Sequence, residues 1–474
     1  MRNDYFKNNN ERIFNLNVLH YSLGLPPYRS GGLTKYSIDL MLNQQRNNDR
    51  VILFFPGHYS LKKTTQLKYF CEFGGIDVFE IVNPLPVPLL GGVREPERFM
   101  KKVNPKNIYE IFLKNIRPDI IHIHTLMGLH KEFFLAARKL DIKIVFTTHD
   151  YYGLDTHVNL LDNNGMEYLG YKDLEKCAIS NQSAYSISRI CIMQSRLYRS
   201  IKSTKAFTLI KRFKRKRVFK GNYNFSDDKL INKHKLKKYK ELGEYYTDIF
   251  SYIDLFHFNS SVAKQVYEKF IDVKGKVITL THGEIKDKRR IKSYDKNNLL
   301  RISFLGDLDE YKGFSFLKDA LNILLKKNQT RWVLNVYGNS YEVPLSELES
   351  SYIKFNGKYN YNNLPFIFEN TDVVIIPSIW KETFGFIGLE ALSFGVPIVV
   401  SDNVGCKDII VDGETGIIFN ENINELANII DKLIEKRDML RNLNKNICDS
   451  KEINFSIQKH TENIKLLYKN AYNI

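Results

Sequence analysis

Short β-rich runs alternate with amphipathic segments along most of the chain. The runs are apolar at successive positions, which is typical of strands in parallel sheets covered by helices on both faces. Between them, apolar residues recur at roughly helical intervals, as in Leu33–Arg46. We therefore predict an α/β fold with parallel sheets. The predicted strands lie near Leu16–His20, Val51–Phe55, Ile76–Ile81, Ile120–His124, Ile144–Thr148, Leu255–Phe258, Val277–Leu280, Ile302–Leu305, Val333–Tyr337, Ile353–Phe355, Val373–Ile376 and Ile398–Ser401.

The alternation falls into two blocks, which predicts two domains. A chain of 474 residues is also too long for one typical hydrophobic core. The polar, charged segment Glu284–Asn298 separates the blocks and is predicted to be the linker. We expect a first domain over residues 1–290, with a basic, helix-prone insertion at about 153–246, and a second domain over residues 291–455. Residues 456–474 are expected to form a helix that packs back on the first domain.

Composition restricts the class of protein. Hydrophobic residues make up 43% and charged residues 26% of the chain, which is ordinary for a globular protein. The five cysteines show neither metal-ligand spacing nor a disulfide framework, so we expect a reducing cytoplasm. The first fifteen residues hold no apolar run, and the stretch Gly385–Val400 is too short and too interrupted to span a bilayer. We expect a cytoplasmic protein that is soluble or peripheral on the inner face of the cell membrane.

The net charge of +17 is concentrated in one segment. Lys205–Lys240 contains fourteen Lys or Arg and two Asp residues, which is +12 of the total. A protein that is basic throughout would favour nucleic acid as a partner; here the charge is local, and we expect no nucleic acid. The run Lys211–Lys220 interleaves bases with apolar side chains, which suits an anionic membrane surface, where each cation contributes about 1 kcal/mol. The alternative is a solvated basic face on helices that decorate the first domain.

Two carboxylates stand eight positions apart in the segment Pro377–Pro397, PSIWKETFGFIGLEALSFGVP. If a helix begins near Phe384, its free N–H groups and positive dipole end form an anion site suited to a diphosphate. At the helical rise Glu382 and Glu390 would lie roughly 12 Å apart, about the distance from sugar to ribose in a nucleotide-sugar. One carboxylate can then accept hydrogen bonds from sugar hydroxyls and the other from ribose hydroxyls. A glycosidase pair does not fit, because those carboxylates lie about 5–9.5 Å apart across one bond.

This segment resembles the GT-B glycosyltransferases of family 4, whose second domain carries an E-x7-E motif in the setting PS-x-x-E-x-F-G-x-x-x-x-E-A-x-x-x-G-x-P. Further segments follow the order of that family: PPYRSGGLTKYSIDL near the start, IRPDIIHIH (Ile116–His124), VFTTHD (Val145–Asp150), FLGDLDEYKG (Phe304–Gly313), NVYGN (Asn335–Asn339), KFNGKY (Lys354–Tyr359) and SDNVGCKDIIVDGETGIIF (Ser401–Phe419). The resemblance implies a GT-B architecture. In it, two Rossmann-like doubly wound domains face a cleft, and the first domain carries the basic helical insertion.

The resemblance also implies roles for particular residues. Three are implied to be catalytic: Glu382 orients the sugar and stabilises positive charge, Lys312 places a cation on the diphosphate, and His149 approaches the reaction centre. His122 and His124 are expected to be structural. The implied donor-binding residues are Gly31, Gly32, Lys358, Thr383, Phe384, Gly385, Phe386 and Glu390.

One position departs from the family pattern. Many members have an arginine after the glycine that ends this strand, whereas this chain has Asp307 after Gly306. A carboxylate beside a diphosphate is repulsive unless it turns away or binds a cation. Arg301 and Lys381 are candidate substitutes for the missing arginine. Asp307-x-Asp309 has the spacing of a metal motif, but it lies in the diphosphate loop of the wrong fold.

The implied activity is retaining transfer of a hexose-type sugar from a nucleotide-sugar, with UDP favoured as the base. The implied acceptor is a glycan or lipid-linked saccharide in surface polysaccharide synthesis, and neither metal nor cofactor is required. A degenerate GT-B protein that binds nucleotide-sugar without transfer is the alternative that Asp307 keeps open. A sugar-nucleotide epimerase or a phosphorylase of related fold is a further alternative. The sequence shows no pyridoxal lysine or free-phosphate site for the phosphorylase.

Overall fold

The computed structural model describes residues 15–62, 64–162, 165, 167–168, 170–202, 232–339 and 343–472. The chain divides into two compact units. The first comprises the described residues of Met1–Phe258 with Tyr267–Lys276 and Thr461–Ile474, and the second comprises Asn259–Val266 and Val277–His460. The basic run Lys211–Lys220, and with it most of Lys205–Lys240, lies outside the described residues.

The first unit is built on an eight-stranded sheet in the order β3-β4-β2-β1-β5-β6-β7-β8. Neighbouring strands from β4 through β2, β1, β5 and β6 to β7 are parallel, and β3 is antiparallel to β4. The strands are β1 (Asn17–Tyr21), β2 (Arg50–Pro56), β3 (Gln66–Phe73), β4 (Ile76–Val82), β5 (Ile120–Ile123), β6 (Lys143–Thr147), β7 (Leu255–Phe258) and β8 (Gly275–Val277).

Two strands of this sheet differ from the prediction. β3 was not predicted, because it is a largely exposed edge strand and lacks the apolar run that marks the buried strands. The strand expected near Val277–Leu280 lies earlier, at Gly275–Val277. It is a three-residue edge strand, and so short an element leaves little pattern in the sequence.

Helices cover the first sheet. Gly32–Arg46 is amphipathic and buries one face, including Tyr36, Leu40 and Gln44. Within the predicted insertion the described residues form short helices and then the long helix Lys233–Phe250. The helices are α1 (Gly32–Arg46), α2 (Ile108–Ile116), α3 (Lys131–Lys139), α4 (Leu174–Ser180), α5 (Ile187–Met193), α6 (Arg196–Lys202) and α7 (Lys233–Phe250), with single 3-10 turns at Pro96–Phe99, Gly170–Lys172 and Asn181–Ser183.

The second unit is a parallel six-stranded sheet in the order β11-β10-β9-β12-β13-β14. Its core contains Trp332, Leu321 and Leu334, none of them accessible to solvent. The strands are β9 (Leu300–Leu305), β10 (Trp332–Tyr337), β11 (Ile353–Gly357), β12 (Val373–Ile376), β13 (Ile398–Ser401) and β14 (Ile417–Phe419). The helices are α9 (Phe314–Lys326), α10 (Glu347–Tyr352), α11 (Leu364–Glu369), α12 (Phe386–Leu392), α13 (Ile423–Glu435) and α14 (Arg437–Asp449), with 3-10 turns at Glu310–Lys312, Tyr361–Asn363 and Gly405–Ile409.

Two further helices pass from the second unit into the first along the chain. They are α8 (Ser261–Phe270) and α15 (Ile457–Tyr472). Within the first unit, Lys465 on α15 forms an ion pair with the buried Asp49, with 2.7 Å between Nζ and Oδ2. Residues 277–290, expected in the first domain, group with the second unit. One reason is that Arg289 donates hydrogen bonds of 2.6 Å to the carbonyl oxygens of Ile447 and Ser450.

The predicted α/β class with two Rossmann-like parallel-sheet domains is confirmed. In such sheets ligands bind beyond the carboxyl ends of the strands, where the strand order reverses. That reversal falls between β1 and β5 in the first sheet and between β9 and β12 in the second. Among the helices that the structure describes, none has the length and apolar character needed to cross a bilayer.

Candidate active site

Lys312 and Glu382 meet at the carboxyl edge of the second sheet. Lys312 lies in the loop after β9 and Glu382 in the loop after β12. The Lys312 ammonium lies 2.7 Å from Oε1 of Glu382, and Ser378 donates a 2.7 Å hydrogen bond to Oε2. The same ammonium lies 5.5 Å from the ring centroid of Trp380, within the range of a cation–π contact. Both carboxylate oxygens of Glu382 are therefore engaged, one by Lys312 from the loop after β9 and the other by Ser378 from its own loop.

A glycine allows these loops to approach each other. Gly313 follows Lys312 with a φ of 77°, a left-handed conformation that glycine adopts at little cost. A Cβ at this position would lie 1.8 Å from the carbonyl oxygen of Pro377, which precedes Ser378. Lys312 can reach Glu382 because residue 313 has no side chain.

The carboxylate of Asp307 is hydrogen-bonded to a residue of the loop after β10. The side-chain amide of Asn339, after β10, donates a hydrogen bond to the Asp307 carboxylate. The loops after β9 and β10 are themselves in close contact, since a Cβ on Gly338 would lie 1.8 Å from the carbonyl oxygen of Gly306. An amide partner therefore orients the carboxylate that replaces the arginine of many family members.

The two expected substitutes for that arginine differ in position. Arg301 is the second residue of β9 and forms an ion pair with Asp372, 2.6 Å from Nη2 to Oδ1. It stands four residues before Leu305, which at the strand rise is about 13 Å from the carboxyl end, so Arg301 is wrong as a substitute. Lys381 lies beside Glu382 and donates to the side-chain carbonyl of Asn403.

The helix in the E-x7-E segment begins later than predicted. α12 starts at Phe386 and has seven residues, so Phe384 lies in the preceding loop. Its carbonyl oxygen accepts a hydrogen bond from the Cys406 backbone N–H at 2.6 Å, and that of Thr383 accepts from Ser260 Oγ at 2.5 Å. Gly385 then adopts a φ of 86° between loop and helix. The expectation that one continuous helix from Phe384 separates the two glutamates is therefore wrong.

Glu390 sits on α12 and is almost fully buried, with 4% of its surface exposed. Tyr361 donates a 2.6 Å hydrogen bond to its Oε1. His282 Nε2 lies 2.8 Å from the Tyr361 hydroxyl and 3.6 Å from the same carboxylate oxygen. Burial raises the pKa of Tyr361, and the charge of Glu390 raises it further, so the phenol is a stable donor. Lys358 is exposed in the loop between β11 and Tyr361.

In the first unit, the expected phosphate-contacting glycines stand at the start of α1. Gly31 is the N-cap, with a φ of 113°, and Gly32 is the first helical residue. A Cβ on Gly31 would meet no atom within 4 Å, so the left-handed backbone rather than crowding favours glycine there. The first N–H groups of this 15-residue helix, which have no hydrogen-bond partner within the helix, therefore lie next to the glycine pair.

His149 follows the carboxyl end of β6. Its Nε2 lies 3.2 Å from Nδ1 of His124, and its ring lies 5.1 Å from that of Tyr36. Burial, with a smaller effect from His257, lowers the pKa of His149 to about 3, so the ring is neutral at physiological pH. Burial likewise raises the pKa of the adjacent Asp150 to about 7.

Comparison with known proteins decides the family. Residues 30–177 match the model of Glycosyltransferase Family 4, and residues 285–448 match that of Glycosyl transferases group 1. The chain belongs to the group 1 glycosyltransferases of GT-B fold. This GT-B chain is 30% identical to an uncharacterised 41.2 kDa protein from the cps region of Klebsiella pneumoniae over 147 residues, which are 30% of the chain and 40% of that relative.

Two further similarities place this group 1 chain among known proteins. It is 26% identical to the capsular polysaccharide biosynthesis glycosyltransferase CapM of Staphylococcus aureus, over 36% of the chain and 46% of CapM. The chain thus spans less than half the length of these two curated relatives. The crystal structure of Anabaena HepE in complex with UDP superposes with a TM-score of 0.54 at 14% identity, covering 95% of the chain and 98% of HepE.

Two residues that contact Glu390 were not identified from the sequence. Tyr361 and His282, the partners of Glu390, lie 29 and 108 positions before it. His282 was assigned to neither a strand nor the family motifs. The THG triplet at Thr281–Gly283, just before the charged segment, was the available signal.

The first sheet of the GT-B chain also contains a histidine cluster. His20, His122 and His124 are the one group in the described part of the chain whose ligand atoms could surround a metal, within 4.8 Å of one another. Every ring nitrogen of these three residues has a protein partner at 2.6–3.2 Å. Because those hydrogen bonds engage all six nitrogens, the trio does not fit a metal centre in this arrangement.

Proposed function

We propose that the chain is a retaining glycosyltransferase that moves a hexose-type sugar from a UDP-sugar to a glycan or lipid-linked acceptor in surface polysaccharide synthesis. The pairing of Lys312 with Glu382 carries this proposal, because it joins the cation and the carboxylate that sugar transfer needs. UDP is favoured because HepE, of similar fold, was solved with UDP. A polysaccharide product is favoured because the chain is similar to CapM.

In this proposal a bound donor replaces the contact between Lys312 and Glu382. A bound donor offers each partner a new contact: its diphosphate for the Lys312 ammonium and its sugar hydroxyls for the Glu382 carboxylate. Ser378 would keep Glu382 oriented during this exchange, since its hydroxyl binds the other carboxylate oxygen. Catalysis then relies on electrostatic positioning of charges that are already in place.

The proposed chemistry follows a loose, oxocarbenium-like transition state. The bond from the sugar C1 to the phosphate oxygen breaks, and the acceptor oxygen attacks C1 from the same face. The departing phosphate takes the acceptor proton, so no strong general base and no metal are required. A neutral His149 suits such a site, because a second cation beside the developing positive charge would be unfavourable.

Glu390 is proposed to bind the ribose hydroxyls through its carboxylate. Tyr361 and His282 hold that carboxylate in place from one side. Both contacts go to the same oxygen, Oε1, so Oε2 is the oxygen proposed to meet the ribose. Such a contact is shared by the ground state and the transition state, so it contributes to donor affinity rather than to turnover.

A thermal-shift panel of UDP-, GDP-, ADP- and dTDP-sugars tests the donor assignment. A ligand that binds the folded protein raises the melting temperature by mass action. We expect a shift with UDP-sugars and none with the others at equal concentration. Equal shifts with all four would contradict the choice of base. Binding of UDP-sugar without release of UDP would favour the alternative, a nucleotide-sugar-binding protein without transfer activity, which Asp307 motivates.

The basic segment Lys205–Lys240 is proposed to dock the enzyme on anionic lipid at the inner face of the membrane. Its charge of +12 and interleaved apolar residues support this. Sedimentation with anionic vesicles should show binding that weakens as salt rises, and neutral vesicles should show none. The test variant replaces six bases with serine: Lys211, Arg212, Lys214, Arg215, Lys216 and Arg217. Undiminished vesicle binding by that variant would show that the segment is not the anchor.

A further inference from the structure

A continuous chain of hydrogen bonds runs through the first unit and ends on His149. It passes along the carboxyl halves of four adjacent strands, β1, β5, β6 and β7, and through two helices, α1 and α15. The successive contacts are His149 Nε2 to His124 Nδ1 (3.2 Å), His124 Nε2 to His20 Nδ1 (3.0 Å), His20 Nε2 to Gln44 Oε1 (2.7 Å), Gln44 Nε2 to Tyr468 Oη (3.1 Å), Tyr468 Oη to His122 Nδ1 (2.7 Å), His122 Nε2 to Thr147 Oγ1 (2.6 Å) and Thr147 Oγ1 to His257 Nδ1 (2.9 Å).

The side-chain amide of Gln44 gives this chain a direction. Its oxygen can only accept and its nitrogen can only donate. The oxygen faces His20 Nε2, so that nitrogen carries the proton and His20 Nδ1 is an acceptor. A neutral histidine has one donor and one acceptor nitrogen, and burial lowers the pKa of His20 to about 4 and keeps it neutral.

Because a neutral histidine has one donor and one acceptor nitrogen, the protonation of His20 also determines that of His124 and His149. His124 must donate from Nε2 to His20, so its Nδ1 accepts. His149 must then donate from Nε2 to His124, which leaves Nδ1 of His149 unprotonated. Burial lowers the pKa of both His124 and His149, so each remains a neutral link with one proton.

The hydrogen bonds that begin at the side-chain nitrogen of Gln44 agree with the same amide orientation. Its nitrogen donates to the Tyr468 hydroxyl, which in turn donates to Nδ1 of His122. His122 then donates from Nε2 to Thr147, whose hydroxyl donates to His257. Every donor in the chain meets an acceptor, and both directions follow from one amide.

We propose that Gln44 is a positioning residue that fixes His149 as the tautomer protonated on Nε2, with Nδ1 as a hydrogen-bond acceptor. A substrate hydroxyl that meets Nδ1 must therefore be the donor. If the oxygen and nitrogen of the Gln44 amide exchanged places, donor and acceptor would be exchanged in every hydrogen bond of the series. The proton of His149 would then lie on Nδ1. The relevance to sugar transfer rests on the proposed function, but the tautomer itself does not.

Nuclear magnetic resonance of the full chain with ¹⁵N-labelled histidine measures the tautomer directly, through long-range correlations between ring nitrogens and carbon-bound protons. Loss of one set of signals in His149→Gln assigns that ring. The test variant is Gln44→Met, which removes both the acceptor and the donor while keeping length. Gln194→Met is the matched control. Gln194 is another buried glutamine of the first unit, and it takes no part in the series of hydrogen bonds that ends on His149.

In the wild type and in Gln194→Met we expect His149 to be protonated on Nε2 alone. In Gln44→Met we expect both tautomers to be populated, because His20 has lost its fixed acceptor. In Gln44→Glu the carboxylate still accepts from His20, so the wild-type tautomer of His149 should return. A wild-type His149 protonated on Nδ1 would overturn the proposal even if no variant folds, and so would an unchanged tautomer in Gln44→Met.

These outcomes are distinguishable from a failure of the proposed function. The spectra need no donor, acceptor or turnover. If the protein transfers no sugar and His149 still shows the Nε2 tautomer that depends on Gln44, the positioning role stands and the transferase proposal fails. If sugar is transferred and the tautomer does not depend on Gln44, the positioning role fails alone.

Discussion

The ammonium of Lys312 and the carboxylate of Glu382 form a 2.7 Å ion pair that joins the loops after two adjacent strands, β9 and β12. Each partner is in contact with further groups, Trp380 beside the ammonium and Ser378 on the carboxylate. These contacts fix the geometry of the pair.

Replacement of Glu382 by Gln should lower turnover far more than nucleotide affinity. The proposed contact is to the sugar, where positive charge develops in the transition state. Loss of one such group costs about 100–1,000-fold in kcat. Steady-state kinetics and calorimetric titration with UDP measure the two effects separately. Glu369→Gln, an exposed glutamate of the same unit, is the control and should change neither. Loss of UDP binding with unchanged kcat would contradict this role.

Replacement of Glu390 by Gln should show the opposite pattern. A lost ribose contact is shared by ground and transition states, so it should mainly raise the KM for the donor. Tyr361→Phe should raise the same KM less, because it leaves the carboxylate in place and removes only its buried donor. Kinetics with varied donor concentration measures both. A collapse of kcat with unchanged KM would contradict the ribose assignment.

Replacement of Gly313 by Ala should destabilise the second unit more than the same change at Gly413. Both glycines have a φ near 76°, at 77° and 75°, so both variants carry the left-handed penalty of about 1–2 kcal/mol. Only at 313 would the new Cβ overlap a backbone atom, the Pro377 oxygen. Chemical unfolding followed by circular dichroism gives the difference. Equal losses at the two positions would show that the loops are not in close contact.

Acidification should destabilise the wild type through His149. The folded-state pKa of about 3 lies below the ordinary value of 6.5, so the unfolded state binds the extra proton. The stability contribution is present above pH 6.5 and is lost as the pH falls toward 3, by about 1.4 kcal/mol per pH unit. His149→Asn should lower the slope of the free energy of unfolding between pH 6.5 and 4 by this amount, while the slope due to the buried His20 and His124 remains.

The control for that pH dependence is His234→Asn, which replaces an exposed histidine at the start of α7. Its pH dependence should match that of the wild type. If His149→Asn also matches the wild type, His149 is not held neutral by burial, and its proposed role as a neutral ring fails.

The sequence predicts the parts of this fold that rest on local patterns. Apolar runs mark the central buried strands, and the spacing of Glu382 and Glu390 with their flanking glycines marks the family. The edge strand β3 was missed because exposure removes its apolar pattern. The start of α12 was misplaced because the left-handed Gly385 and the hydrogen bonds to Ser260 and Cys406 depend on residues distant in sequence.

The partners of the candidate site residues were not predictable for the same reason. The contacts of Glu390 with Tyr361 and His282, and of Lys312 with Glu382, join segments that are distant in the sequence and that only the fold brings together. His124 was expected to be structural, and its burial agrees with that. Its hydrogen bonds to His149 and His20 could not be predicted, because a histidine in the sequence does not indicate which residues it will contact.

Retaining transfer is tested most directly by the anomeric configuration of the sugar that the protein releases from a UDP-sugar. When no acceptor is present, water can take its place as the attacking oxygen, and proton magnetic resonance distinguishes α from β anomers as they form. The protein is incubated with UDP-α-D-glucose, UDP-α-D-galactose and their N-acetylated forms, with a chelator present throughout. We expect the α anomer to appear first from at least one donor, and Glu382→Gln to slow its release by about 100–1,000-fold. First appearance of the β anomer would contradict retaining transfer.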